Sequence, residues 1–309
     1  MPLALFSHPA SHGHLTPPGH PERAARIEAV DRALAGVDGL DRREAPAAED
    51  AFLLRGHSAA YLDAIRAAAP AEGSVQLDPD THMSPGTLEA ALRAAGANAA
   101  AVDLVLSGEA RAAFVATRPP GHHAEPERAM GFCLFSNAAL AALHALEAHG
   151  LSRVAVADFD VHHGNGTQAV LWDEGRAAFA SSHQMPLFPG SGAAHERGAR
   201  EQCLNSPLDP GAGSVDFRAA WEETLLPFLA RHEPELVIVS AGFDAHRDDP
   251  LADMRLTERD FDWVTERLCD LADAHAEGRI VSTLEGGYDL DALAASVAAH
   301  VSVLEERAR

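Results

Sequence analysis

Four short runs, Ala112–Ala116, Val154–Phe159, Leu236–Ser240 and Ile280–Leu284, are apolar at nearly every position, where a strand with one wet face would alternate. Such a run folds as a strand only when both of its faces are covered. Ala-rich helical patterns stand among these runs, at Thr87–Ser107, Asn137–His149, Phe217–His232 and Thr257–Glu277. Strands and helices in alternation imply β-α-β units and hence parallel pairing. The expected fold class is therefore α/β, a three-layer sandwich with a mainly parallel central sheet and helices on both faces. No fixed-period repeat, long linker or abrupt compositional shift divides the chain, so residues 1–309 are expected to form one domain. With 47% hydrophobic residues, a chain of this length can bury a sizeable core.

Ligands of such sheets bind at the carboxyl ends of the strands. Each of the four runs leads into a polar, Gly-containing segment: RPPGHHAE, DVHHGNGT, AGFDAHRDD and EGGYD. Four candidate site loops are thus expected on one edge. Charge narrows the partners, because 24 Lys and Arg against 46 Asp and Glu leave −22, which repels polyanions. Direct binding to nucleic acid is not expected. No stretch approaches the ~20 apolar residues of a membrane span, and MPLALFSHPASHGH lacks the basic start and apolar core of a signal peptide, so a cytoplasmic protein is expected. The three cysteines, Cys133, Cys203 and Cys269, form no C-x-x-C pair and suggest neither a disulfide framework nor a cysteine-ligated zinc. Histidine, at 18 residues, directs attention to metals and proton transfer.

Asp158 and Asp160, two apart at the end of an apolar run, project to one side of a strand. Buried there without compensation they would cost several kcal/mol, which a cation removes. Asp160 and His162 offer an oxygen and a nitrogen, a set better suited to Zn²⁺ or a similar divalent metal than to calcium. The competing reading of this segment is a helix N-cap with exposed loop histidines. Asp244 follows a second buried strand and can supply a third ligand, leaving one coordination position open as catalytic metals require; alternatively it makes an Asx-turn. For its neighbour His246 a surface loop is the favoured reading. The adjacent His122 and His123, in a loop stiffened by two prolines, suit proton transfer, with a second metal site as the rival. Tyr288, after two glycines, can hydrogen-bond a developing oxyanion or simply pack. There is no dinucleotide or P-loop glycine spacing and no G-x-S-x-G elbow, so phosphate cradles and serine catalysis are disfavoured.

RPPGHHAE, GFCLFSNAA, DFDVHHGNGTQ, LFPGSG, AGFDAH and EGGY, in this order, resemble the histone deacetylase-like amidohydrolases, most closely the class II and bacterial members of the arginase–deacetylase superfamily. The likeness runs from about His20 to Tyr288, and HPERAARIEAV resembles the family's opening helix. It implies that Asp160, His162 and Asp244 bind one catalytic Zn²⁺, with His122 and His123 beside the attacking water. By the same resemblance Asp158 partners His122 and Asn165 partners His123. Tyr288 polarises the acyl carbonyl, while Gly131, Phe132 and Phe188 line a tunnel around a lysine-like chain, with Leu251 at its rim, His163 in support and Arg26 beside an internal channel. A structural K⁺ is implied near Asp158, Asp160, His162 and Ser181.

The activity so implied is hydrolysis of a linear amide C–N bond in acylated lysine or a similar small acylated amine. The neutral Asn165 is expected to keep His123 closer to an uncharged base than a carboxylate would. An acetylpolyamine amidohydrolase or another small-amide deacylase is the alternative enzyme. Leu251 disfavours the polyamine reading, since relatives that prefer acetylated polyamines can carry an acid there. A metal-bound ligand-sensing module is the alternative outside catalysis, and the ligands would also accept Fe²⁺ or Co²⁺.

Overall fold

The computed structural model describes every residue from Met1 to Arg309. Its strands are β1 (Leu3–Ser7), β2 (Leu40–Glu44), β3 (Val75–Asp78), β4 (Thr81–Met83), β5 (Ala112–Val115), β6 (Val154–Asp158), β7 (Ala177–Gln184), β8 (Cys203–Leu208), β9 (Val237–Ala241) and β10 (Ile280–Leu284). Eight of them form one sheet in the order β2-β1-β5-β10-β9-β6-β7-β8, and every pairing in it is parallel. The remaining two, β3 and β4, make a small antiparallel hairpin.

The four apolar runs occupy the middle of this sheet as β5, β10, β9 and β6. Their side chains alternate between two apolar layers rather than between core and water. On β6, Ala155 and Ala157 join one cluster of 42 buried residues, while Val154 and Val156 join a second of 27. The first layer is completed by α2 (Ala24–Leu34), α10 (Glu258–His275), α11 (Leu290–Ala308) and the helical segment 214–231, through Phe217, Trp221, Leu225 and Leu229, the second by α5 (Thr87–Leu106) and α6 (Asn137–Glu147). A third cluster of 12 residues gathers the short helices Asp50–Leu53 and Ala59–Ala68 against α5 and Phe135. Helices thus cover both faces of the sheet and give the three layers expected. No helix is long and apolar enough to cross a membrane.

The expected helix Phe217–His232 is interrupted. Ser214–Ala220 and Leu226–Arg231 are α-helical, but Trp221–Leu225 forms a wider turn in which the Leu226 N–H donates to the Trp221 carbonyl. This turn directly precedes Pro227, which has no N–H to continue the regular ladder. The three cysteines are buried free thiols.

Candidate active site

Each central strand delivers its following loop to one edge of the sheet, as parallel pairing requires. The loops after β5, β6, β9 and β10 carry the His122–His123 pair, the Asp158–Asn165 segment, Asp244 and Tyr288. Asp160, His162 and Asp244 meet there, buried, with one donor atom of each lying within 4.8 Å of the others. His162 Nδ1 is 3.1 Å from Asp160 Oδ1 and 3.1 Å from Asp244 Oδ2. Burial opposes charge on His162, yet hydrogen bonds to these two carboxylates raise its pKa to about 10. A proton thus balances two buried anions.

That arrangement fits a divalent metal, because two carboxylate oxygens and one imidazole nitrogen converge where positive charge is needed. Surrounding backbone holds the carboxylates in place. Val161 N–H donates to Asp244 Oδ1 at 2.9 Å and Gly286 N–H to Asp160 Oδ2 at 2.9 Å. A Cβ on Gly242 or Gly286 would overlap the carboxylate of Asp160 or Asp244, so both positions need glycine for the close approach.

The tandem histidines differ in their partners. His122 Nδ1 lies 3.0 Å from Asp158 Oδ2, whereas His123 Nδ1 lies 2.8 Å from Asn165 Oδ1. Burial disfavours charge on His122, but Asp160 and Asp158 together raise its pKa well above the ordinary imidazole value. Burial, reinforced by the neighbouring His122 and His162, holds His123 well below that value. One imidazole is thus biased toward a cation and the other toward a neutral base, an arrangement that separates acid and base roles.

Above this pair lies a cavity of about 220 Å³, lined by His123, His162, Phe132, Phe188, Leu251 and Tyr288, with Gly131 and Leu187 completing its wall and Asp80 beside it. Phe188 stands edge-on to His123 with ring centroids 5.1 Å apart, and Phe132 stands edge-on to Tyr288 at 5.8 Å. Tyr288 is buried, which raises its phenol pKa, and the Arg26 guanidinium lies 4.8 Å from its ring centroid. Arg26 also donates to the Glu285 carbonyl at 2.6 Å. His163 Nδ1 lies 2.9 Å from Ser191 Oγ in the loop that carries Phe188. Ser181 pairs in register with Asp158 across the β6–β7 ladder, with its hydroxyl 2.9 Å from His183 Nδ1.

Three further carboxylates shape the site without having been singled out in the sequence. Glu285 accepts from the N–H groups of Gly121 (2.7 Å) and His122 (3.1 Å) and so holds the tandem-histidine loop; burial pushes its pKa up to about 7. Asp249 accepts from the N–H groups of Leu251 (3.0 Å) and Tyr288 (2.7 Å). Asp80 accepts from the Gly131 N–H at 3.1 Å. Glu285 and Asp249 lie within the loop segments EGGYD and AGFDAHRDD, whereas Asp80 stands in no motif and carried no sequence signal. His246 corrects the surface-loop reading: it is buried, and its Nδ1 accepts the Asp248 N–H at 3.2 Å, because the loop folds back on itself.

Residues 20–304 match the histone deacetylase domain family. An uncharacterized protein from Synechocystis is 42% identical over 290 residues, covering 92% of this chain and 93% of its own. The histone deacetylase-like amidohydrolase of Pseudomonas aeruginosa is 43% identical over 284 residues, covering 91% of this chain and 74% of its own. Among solved structures, the HDA15 HD domain superposes with a TM-score of 0.93 at 33% identity, covering 99% of this chain and 88% of that one.

Proposed function

The chain belongs to the histone deacetylase family, and from that premise we propose that it is a single-domain, Zn²⁺-dependent amidohydrolase that removes acetyl or other acyl groups from acylated lysine. The carrying observation is the convergence of Asp160, His162 and Asp244 beneath a cavity whose walls also include His123 and Tyr288. Zn²⁺ held by these three residues would act as a Lewis acid toward the amide carbonyl and lower the pKa of water.

The protein's own groups supply the rest. His123, neutral and oriented by Asn165, takes the proton from the attacking water. The Tyr288 hydroxyl hydrogen-bonds the carbonyl oxygen as it gains negative charge. One histidine of the pair then returns the proton to the departing nitrogen, so that amide plus water becomes carboxylate plus amine. His122, fixed by Asp158, keeps positive charge next to that exchange. Phe132 and Phe188 close around the uncharged alkyl-amide stem and exclude water. We also propose that K⁺ is held near Asp158, Asp160, His162 and Ser181; support comes from the burial of all four in a region rich in negative charge.

Asp80 favours a second reading, deacylation of a small acylated polyamine. Leu251 brings no charge to the rim, but Asp80 places a carboxyl group beside the same cavity, where a remote ammonium of such a substrate would meet it. A panel of acetyl-lysine peptides, longer acyl-lysines and acetylpolyamines, assayed with and without chelator, tests both. Chelator-sensitive release of carboxylate from the lysine peptides is expected. Activity confined to polyamines would move the assignment to the second reading, and no release from any member would leave the ligand-sensing alternative.

A further inference from the structure

Far from the cavity, a second group of metal-ligand side chains meets at the surface. Asp103 Oδ1 lies 2.7 Å from His144 Nε2 and 2.7 Å from His149 Nε2, and the three donor atoms fall within 4.8 Å of one another. Asp103 belongs to the last turn of α5 and His144 to the last turn of α6, while His149 follows the end of α6. After α6 the chain enters β6 at Val154, and after α5 it enters β5 at Ala112. Both helix ends therefore lie at the amino-terminal edge of the sheet, opposite the catalytic loops. We propose that Asp103, His144 and His149 form a second divalent-metal site, for Zn²⁺ or a metal of like preference, that ties α5 to α6.

Two imidazoles with one carboxylate select borderline transition metals over calcium or magnesium. Metal–ligand bonds of about 2.0–2.2 Å hold neighbouring donors only slightly farther apart than these hydrogen bonds do. The site therefore needs a small opening, not a rearrangement. In the metal-free chain the Nε2–H groups of both rings donate to Asp103, and a metal would displace these two protons; His144 Nδ1, which has no hydrogen-bond partner, is free to carry the ring proton once Nε2 binds metal. Both helices also direct the negative ends of their dipoles at this place. Access is open, since Asp103 is about half exposed and the group borders a surface cavity of about 340 Å³ that also contains Glu49 and Arg55. Other surface pairs, His12 with Asp31 and His8 with Glu44, bring one histidine to one acid and lack the third ligand.

Zn²⁺ titration of the untagged protein, read by equilibrium dialysis with elemental analysis, tests this. Wild type is expected to bind two equivalents. His149→Ala and Asp103→Asn should each bind one and keep full hydrolytic activity, and Asp160→Asn should keep the surface equivalent while losing the other. As a readout independent of activity, excess Ni²⁺ should raise the Tm of wild type by several degrees and leave that of His149→Ala unchanged. A single equivalent in wild type that persists in His149→Ala, a complete loss of metal in Asp160→Asn, or a second equivalent that survives both surface substitutions would overturn the proposal.

Discussion

Asp160 is gripped from two sides, by the Gly286 N–H and by the backbone of Gly242, which passes too close for any side chain. Gly242→Ala should accordingly displace the carboxylate and cost both bound metal and activity, while the folded protein persists; elemental analysis beside circular dichroism checks this. Tyr288→Phe removes only a hydroxyl. Turnover should fall by roughly 10²–10³, the scale of one oxyanion donor, with zinc content unchanged. Asp160 and the tandem histidines stood out in the sequence because chemistry dictates such spacing: carboxylates two apart at a strand end, histidines side by side. Glu285 and Asp249 did not, because a carboxylate that accepts backbone N–H groups needs a place in space and no pattern along the chain. His246 was misread for a related reason, since a loop that folds back buries residues that look exposed in sequence.

At the scale of elements, the four central strands announced themselves through continuous apolar runs, but four others in the sheet did not. β2 is the edge strand and reads LDRRE, because its outer face meets water. β7 reads AAFASSHQ, its polar end lying under the site, where Ser181 and His183 bond each other. The opposite edge strand, β8, contains Pro207, tolerable only where a missing N–H leaves no ladder broken. The loops show a similar division of labour. Asp249 fastens the turn bearing Leu251 to the turn bearing Tyr288. Asp249→Ala should lower kcat by about tenfold to a hundredfold, through a misplaced Tyr288, and raise KM through a loosened rim, with metal content intact; steady-state kinetics separates the two effects.

Across the whole molecule, buried neutral histidines each make folding less favourable in acid. His300 lies among Phe114, Phe159 and Phe243 with its nitrogens on Thr265 and Ser282, and burial lowers its pKa to about 3. His57, between the Pro126 carbonyl and the Ser136 N–H, is lowered by burial to about 4. Unfolded, both would titrate near 6.5. The unfolded chain therefore binds more protons below that pH, and stability is lost as pH falls from about 6.5 toward 4. Each such histidine costs about 1.4 kcal/mol per pH unit in this window. Buried carboxyls such as Glu285 act in the opposite sense, so the histidine share is read by difference: in urea denaturation at pH 7 and pH 5, His300→Asn should lose less stability than wild type by one histidine's share.

The clasp formed by Asp249 couples the rim of the cavity to the hydroxyl proposed to polarise the substrate's carbonyl. Redesigning the entrance at Leu251 would thus be mechanically felt at the reacting bond.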